Sequence, residues 1–271
     1  MKQHFTSVIS QSFGRFASKA HSKRYQNFIN KTYVRMMGLD MSEFKSPESY
    51  ATLNELFTRH LVNNRPFSAD PKDMISPCDS LITECGMMTK NQALQIKGMR
   101  YNIDEFLGEH IAESSKAAVH DGAFVNFYLS PRDYHRYHVP LDMQVVTAVH
   151  IPGKLYPVNI PTLKNKVDLF IENERVVLEC LDTNQKRFFL VLVGALNVGQ
   201  MEVNFEPNIR TNTTLVPSVY RYENLHLAKG DDFGCFKMGS TIVMLCEKEM
   251  CQLKVMTGES VRFGQTIGKI V

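Results

Sequence analysis

The segment FGCFKMGSTIVML, residues 233–245, decides how the rest of the chain is interpreted. Its last four residues, IVML, are apolar and rich in β-branched side chains, which is typical of a buried strand. Gly239, Ser240 and Thr241 therefore lie at the entrance to that strand. Because Gly239 has no Cβ, a nucleophile can approach its carbonyl carbon closely, and the hydroxyl group of Ser240 is the nearest one. By itself, however, a Gly-Ser-Thr sequence is most often an ordinary turn.

Length and composition exclude several classes of protein. A chain of 271 residues can bury a large core, as one large domain or as two small ones. Its six cysteines form no CxxC pair, and we recognise no secretory signal, so we interpret them as thiols in a reducing compartment. No apolar run is long enough to span a bilayer, which disfavours an integral membrane protein.

Charge is distributed unevenly along the chain. The first 39 residues contain seven Lys or Arg and no acidic residue, whereas the remainder has 24 basic and 28 acidic residues. Within that basic region Phe5, Ile9, Phe13 and Phe16 share one face of a helix. We therefore predict that residues 1–40 form amphipathic helices that lie on anionic lipid. Two alternatives stay open, an amphipathic helix packed on the domain and a mitochondrial presequence.

We predict that the remaining residues, 41–271, form a separate body that is mostly antiparallel β-sheet. Residues 46–59 predict a helix with Pro47 in its first turn. Beyond residue 71 short apolar runs alternate with Gly, Pro and Asn, which indicates strands joined by turns. In residues 255–268 the glycines and apolar residues are spaced as they are in small β-barrels. The predicted fold class is α+β, with N-terminal amphipathic helices, a β body and a barrel-like C-terminal part.

Two further stretches contain side chains that could carry chemistry. Residues 130–140 read SPRDYHRYHVP, with His135 and His138 between two prolines. Two histidines at this spacing face one way on a helical turn and opposite ways on a strand, so they are compatible with a weak metal pair or with structural histidines. Asp79 lies in a predicted turn, where an aspartate most often only forms the turn.

Taken together, these stretches resemble the phosphatidylserine decarboxylases. The resemblance rests on the glycine- and acid-containing run at residues 229–241, the histidine stretch at residues 130–140, Asp79, and the sequence IPGKLYPVN at residues 151–159. Members of that family convert the serine of a Gly-Ser-Thr into their own pyruvoyl cofactor. The chain departs from the common pattern at Ser80, Asp232 and Met238.

The resemblance implies a cleavage site and four catalytic residues. It implies cleavage between Gly239 and Ser240 into fragments 1–239 and 240–271, with Ser240 as the pyruvoyl precursor. Asp79 and His138 would activate the Ser240 hydroxyl. His135 would return a proton after carbon dioxide leaves, a task for a side chain that titrates near neutrality.

The resemblance also implies partners. The substrate would be phosphatidylserine and the product phosphatidylethanolamine, without a metal and without nucleic acid. The two fragments would stay together as a heterodimer, and further dimerisation is left open. With the basic, aromatic N-terminus, this implies peripheral binding on the cytoplasmic side of the cell membrane.

Two other functions were considered. A serine hydrolase could use Asp79, His138 and Ser240 on an external acyl group, but the chain has no G-x-S-x-G sequence. A non-catalytic lipid-binding module would explain the N-terminus and the glycine-spaced tail, but it would give the two histidines no task.

Overall fold

A computed structural model describes residues 14–96, 99–158, 160–196, 200–237 and 240–271. Phe5, Ile9 and Phe13 of the predicted membrane helix lie outside the described residues, and so does Gly239 at the predicted cleavage site. Ser240 is described by its backbone.

The described part of the N-terminal region, from residue 14 onward, is largely helical, as predicted. Residues 14–18 are helical, and helix α1 (Lys23–Met37) ends at Gly38, whose φ of 64° is the left-handed conformation that glycine adopts most easily. The later helices are short: α2 (Leu53–Phe57), α3 (Ile103–Leu107), α4 (Glu113–Ala118), α5 (Ile160–Asn165) and α6 (Leu169–Glu172). Within the described ranges, no helix is long and apolar enough to span a bilayer.

The continuous helix predicted for residues 46–59 is wrong. The chain forms a single 3-10 turn (Pro47–Ser49) and then starts again as α2. The interruption has a local cause, because Thr52 accepts a hydrogen bond from the Glu55 amide at 3.0 Å while the Glu55 carboxylate accepts one from the Ala51 amide at 2.9 Å. Thr52 thus caps the new helix, and the Glu55 side chain ties the residue before the cap to its first turn, an arrangement close to a capping box.

The body is built from strands. The described residues form β1 (Asp73–Ile75), β2 (Ser80–Met87), β3 (Gln92–Ile96), β4 (Met99–Asn102), β5 (Ala123–Leu129), β6 (Arg136–His138), β7 (Met143–Ile151), β8 (Arg175–Leu181), β9 (Arg187–Val193), β10 (Met201–Val203), β11 (Ser218–Leu227), β12 (Asp232–Phe236), β13 (Ser240–Cys246), β14 (Cys251–Leu253), β15 (Ser260–Val261) and β16 (Thr266–Ile270).

The strands form four sheets in which all the described pairings are antiparallel. The largest sheet has eight strands in the order β11-β7-β8-β9-β13-β5-β2-β15. Two three-stranded sheets have the orders β1-β16-β14 and β10-β12-β6, and β3 pairs with β4. The predicted α+β class with mostly antiparallel strands is therefore confirmed.

The C-terminal tail contains tight turns between short strands, as predicted. Gly258 and Gly264 have φ values of 90° and 91°, which side chains other than glycine rarely adopt. The strands on either side of Gly264 belong to different sheets, since β15 pairs with β2 and β16 lies between β1 and β14. Among the described strands no closed barrel is found, so the barrel-like detail is not confirmed.

Strand β13 lies at the centre of the large sheet and of the core. It pairs with β5 along one edge and with β9 along the other. Ile242, Val243, Met244 and Leu245 are completely buried, which confirms the strand predicted from the sequence. Because both edges and both faces are covered, β13 is among the least accessible parts of the molecule.

This topology predicts how the fragments behave if the chain is cleaved before Ser240. Residues 240–271 contribute β13, β15 and β16, which pair with strands of the preceding chain in two sheets, and β14, which pairs with β16. We expect the two fragments to co-elute as one species of about the uncleaved mass in size-exclusion chromatography, and to separate only in denaturant. Elution of the small fragment alone under native conditions would contradict this.

Candidate active site

A single stretch of chain, the 129–138 segment, holds both sides of the predicted cleavage site. At its start Leu129 pairs with Ser240, the first residue of β13. At its other end β6 pairs with β12, and the Phe236 amide donates to the His135 carbonyl at 2.9 Å. The chain on either side of residues 238–239 is thus attached to the same segment, and that segment carries both histidines.

Lys237, which directly precedes residues 238–239, is also bound by residues at the start of β10. The Lys237 amide donates to the Gln200 carbonyl at 2.9 Å, and the Lys237 ammonium forms a salt bridge with Glu202. Gln200 and Glu202 lie at the start of β10, which pairs with β12. The approach to the predicted scissile bond is therefore fixed by backbone hydrogen bonds and by charge.

His138 is held in a form that can accept a proton. Its Nδ1 lies 2.9 Å from the Gly230 carbonyl oxygen, which can only accept, so Nδ1 carries the hydrogen. Its Nε2 is then the acceptor for the Tyr134 hydroxyl at 3.0 Å. The Phe263 ring stacks on the imidazole, with a centroid distance of 3.6 Å and an angle of 13°. Burial lowers the pKa of His138, so the neutral base is favoured at pH 7.

Asp79 and His138 are not joined by a hydrogen bond in the described structure, because both imidazole nitrogens of His138 are engaged elsewhere. Asp79 instead accepts from the Arg65 guanidinium through both oxygens and from the Phe263 amide at 2.8 Å. Phe263 therefore connects the two, since its amide binds Asp79 and its ring stacks on His138. The role predicted for Asp79 stays a prediction, and this geometry favours an indirect one.

The carboxylate that acts on His138 electrostatically is Asp232. The two residues are paired across β12 and β6, and the charge of Asp232 opposes the effect of burial by raising the pKa of His138. Asp232 also forms a salt bridge with Arg136. The sequence had singled out Asp232 only as a departure from a family pattern.

His135 is more completely shielded from solvent than His138. It is completely buried, its ring centroid is 4.0 Å from that of Phe57, and its Nδ1 donates to the Asp133 carbonyl at 2.8 Å. Within the part of the chain that the structure describes, its Nε2 is buried without a hydrogen-bond partner. Burial lowers the pKa of His135 to about 3, so the expectation of a side chain that titrates near neutrality is wrong for the structure without substrate.

The two histidines thus have separate surroundings, which the sequence left open. His138 belongs to β6, whereas His135 precedes it and packs on α2 through Phe57. Tyr134 and Phe263 were missed as site residues. Tyr134 lies inside the histidine stretch and could have been suspected, but no sequence signal links Phe263 to a histidine so far away in the chain.

A buried hydroxyl at the start of β13 could receive a carbonyl-bearing group derived from Ser240. It is the Oγ1 of Thr241, which has no hydrogen-bond partner among the described residues. Thr241 directly follows Ser240, and its hydroxyl can donate to a carbonyl oxygen. The residues present therefore fit a pyruvoyl group. Within the described part of the chain, no three His, Cys, Asp or Glu side chains are grouped as metal ligands.

Comparison with known proteins gives consistent similarities. The family model for phosphatidylserine decarboxylase matches residues 53–269. The chain is 43% identical over 266 residues to the phosphatidylserine decarboxylase proenzyme of Helicobacter pylori strain Shi470, covering 97% of each chain. It is 40% identical over 269 residues to that of Campylobacter jejuni, covering 97% of this chain and 98% of the relative. For a Coxiella burnetii proenzyme the identity is 34% over 253 residues, with 89% and 86% covered.

The burial of His135 predicts a pH dependence of stability. Between its pKa of about 3 in the folded chain and the ordinary value of 6.5, the unfolded chain binds a proton that the folded chain does not. The free energy of unfolding should therefore decrease on acidification in this window, by at most about 1.4 kcal/mol per pH unit from this group. In a Ser240→Ala chain, His135→Gln should make the slope of unfolding free energy against pH shallower, as measured by urea denaturation.

The matched control is His226→Gln, because His226 is exposed on β11. This variant should keep the slope of the parent chain. Equal slopes for the parent and for His135→Gln would contradict the assignment of a neutral, desolvated His135.

Proposed function

This chain belongs to the phosphatidylserine decarboxylase family, and we propose that its active site lies where the 129–138 segment meets the start of β13. The chain is a pyruvoyl-dependent enzyme made as a proenzyme, and it converts phosphatidylserine to phosphatidylethanolamine and carbon dioxide. The observation that supports this location is that one segment holds both sides of the Gly239–Ser240 link and carries both histidines. A serine hydrolase or a non-catalytic module is not favoured.

In the proposed maturation step, His138 Nε2 takes the proton of the Ser240 hydroxyl, whose oxygen attacks the Gly239 carbonyl carbon. The Gly239–Ser240 amide is exchanged for an ester, and the Ser240 nitrogen takes up a proton. Elimination across the Cα–Cβ bond of Ser240 then releases the Gly239 carboxylate and leaves a dehydroalanine. Its tautomerisation and hydrolysis consume one water, release ammonia and leave a pyruvoyl group on fragment 240–271.

Each neighbour of His138 has a task in this step. The Gly230 carbonyl fixes the tautomer in which Nε2 is the acceptor, as in other hydroxyl-activating sites, and in this step the Ser240 hydroxyl replaces the Tyr134 hydroxyl as its donor. The Phe263 ring excludes water from one face of the imidazole, and Asp79 holds the Phe263 backbone in place. We propose that Asp79 acts as a positioning residue through Phe263, together with Arg65.

The pyruvoyl group supplies an electron acceptor for the bond that breaks when carbon dioxide leaves the substrate. We assign the neighbouring proton transfers to His135. In the structure His135 is neutral and its Nε2 has no partner, so it can accept a hydrogen bond from the substrate. To carry a proton at neutral pH it needs an anion beside it, because a nearby negative charge raises the pKa of an imidazole.

The test of this proposal separates the two histidines. Ser240→Ala should remain one full-length, inactive chain, because the attacking hydroxyl is gone. His138→Ala should also fail to mature, whereas His135→Ala should mature at least partly and decarboxylate at least about 100-fold more slowly, the usual minimum contribution of a general acid or base. Intact-mass spectrometry reports maturation through a blocked fragment that starts at position 240, and release of carbon dioxide reports activity.

We expect Asp79→Asn to slow maturation without blocking it. The side-chain carbonyl oxygen of the asparagine can still accept the hydrogen bond from the backbone amide of Phe263. Cleavage of Ser240→Ala at the same bond would overturn the mechanism. The opposite phenotypes for the two histidines would mean that their tasks are exchanged.

We further propose that α1 lies on the membrane. Its outward side exposes Tyr25, Phe28 and Met36 at 50%, 65% and 75% of their surface. Arg24, Lys31 and Arg35 are exposed beside them. A soluble helix normally shows the reverse arrangement, so this side is suited to the boundary between lipid headgroups and acyl chains.

The inward side of α1 explains this orientation. Asn30 is completely buried, and its amide donates to the carbonyls of Pro47 at 2.9 Å and Tyr50 at 3.0 Å. Gln26 in turn donates to Asn30 at 2.8 Å. These polar side chains anchor the helix together with Ile29, Tyr33 and Val34, which pack on the apolar cluster that contains Leu53 and Leu56. The apolar side formed by Tyr25, Phe28 and Met36 is therefore a second one, and it faces outward. We propose peripheral binding on the cytoplasmic side of the cell membrane, which the six free cysteines support.

The membrane proposal predicts two separable contributions to binding. Attraction of the basic residues to anionic lipid is screened at about 1 M salt, where the Debye length is about 3 Å, whereas apolar burial is not. Phe28→Ser with Met36→Ser should therefore remove the salt-resistant part of binding in vesicle flotation. Activity on a short-chain, water-soluble phosphatidylserine should be retained. Met256→Ser is the control, because Met256 is 75% exposed on the C-terminal tail.

Unchanged flotation of the double variant at high salt would contradict the membrane assignment of α1. Loss of activity on the water-soluble substrate would mean that α1 acts on the active site itself.

A further inference from the structure

A cavity of about 510 Å³ lies beside the proposed active site. Asp79, Ser130 and Tyr134 line it on the side of the body, and residues from the 38–44 connection line it on the side of α1. Its volume is within the range of about 300–1,000 Å³ that is typical of small-molecule sites. Four arginines also line it: Arg59, Arg65, Arg132 and Arg262.

Arg59 is buried without a partner for its charge. It is only 2% exposed, and its guanidinium lies 4.4 Å from the centre of the Phe44 ring. One nitrogen, Nη2, donates weakly to the carbonyls of Arg132 at 3.2 Å and Asp133 at 3.4 Å. The other two, Nε and Nη1, are buried without any acceptor among the described residues. A buried, unpaired guanidinium destabilises the fold, so an anion that completes its hydrogen bonds would be strongly favoured.

The charges of the four arginines are compensated unequally. Arg65 forms salt bridges with Glu43 and Asp79, and Arg262 forms one with Glu43. Among the described residues, neither Arg59 nor Arg132 forms a salt bridge, and Arg132 is exposed. Two positive charges therefore remain available at this end of the cavity.

Two carboxyl groups that line the cavity and form no salt bridge among the described residues could oppose an anion here, Asp40 and Asp133. Asp40 accepts from the Ser42 amide at 2.9 Å. Asp133 is the more buried of the two. Its Oδ2 accepts from the Ser130 amide at 2.7 Å and from the Ser130 hydroxyl at 2.8 Å. Burial raises the pKa of Asp133, which favours its neutral form over that of an exposed aspartate.

We propose that Arg59 and Arg132 bind the phosphodiester group of the phosphatidylserine headgroup. The inference rests on the proposed active site at the start of β13. Ser130 lines the cavity and follows Leu129, which is paired with Ser240, and such paired residues have Cα atoms roughly 5 Å apart. Only a few covalent bonds separate the amine of the headgroup from its phosphorus, so the phosphate can lie here while the amine reaches position 240.

The chemistry of the reaction favours the phosphodiester over the substrate carboxylate. The carboxylate loses its charge as carbon dioxide forms, so a tight ion pair to it would stabilise the starting state and slow the reaction. The phosphodiester keeps its charge throughout, so binding it stabilises the starting state and the transition state equally. Such a site lowers KM and leaves kcat almost unchanged.

The test measures KM and kcat of mature enzyme on a short-chain, water-soluble phosphatidylserine. Arg59→Lys and Arg132→Gln should each raise KM by about 10-fold or more, as expected for loss of a hydrogen bond to a charged group, with little change in kcat. Inhibition by glycerophosphoethanolamine, which has the phosphodiester but no carboxylate, should weaken in the same proportion. Inhibition by serine, which has the carboxylate but no phosphate, should not change.

Arg221→Gln is the matched control, because Arg221 is exposed on β11 at the opposite edge of the large sheet. It should leave both constants unchanged.

If Arg59→Lys does not fold, Arg132→Gln alone decides, since Arg132 is exposed. Unchanged KM in Arg132→Gln, or weaker inhibition by serine with unchanged inhibition by glycerophosphoethanolamine, would overturn the proposal. The intact mass of each variant is recorded in parallel. A chain that is not cleaved before position 240 would contradict the proposed function, and it would not bear on the phosphodiester site.

Discussion

The attachment of one short segment to two strands is the constraint on which the site depends. The 129–138 segment leaves β5 while paired with the start of β13, and it enters β6 while paired with the end of β12. Each pairing is an ordinary antiparallel ladder, but together they hold the two sides of the Gly239–Ser240 link against the same backbone. The histidines are therefore placed by main-chain hydrogen bonds, and their side chains need only the correct tautomer and burial.

Burial decides the chemical state of those side chains. Both histidines donate from Nδ1 to a backbone carbonyl and are kept neutral by desolvation, but only His138 lies near the compensating charge of Asp232. Two identical residues three positions apart are thus given different basicities by their surroundings, which is a common way for a site to separate two proton transfers. The same low-dielectric environment makes Arg59 without an anion energetically unfavourable.

Much of the framework could be predicted from the sequence, because it depends on local patterns. The IVML run predicted β13, and the amphipathic pattern predicted α1. The helix start at Thr52 is equally local, because a threonine followed three residues later by a glutamate indicates an N-terminus, which the prediction of one helix over residues 46–59 did not include. The connection of Asp79 to His138 through Phe263 could not be predicted, because it depends on how the C-terminal tail packs. The environment of His135 was misjudged for the same reason, since its pKa depends on the packing of α2.

The position of β13 has a consequence for the lifetime of the enzyme. In the uncleaved chain, folding is a first-order process, because all strands belong to one molecule. After cleavage, the pairings of β13, β15 and β16 with the earlier strands become contacts between two molecules, so recovery from unfolding becomes second order and slows with dilution. The native arrangement is then maintained chiefly by its rate of unfolding, and each mature molecule has in practice a single opportunity to fold.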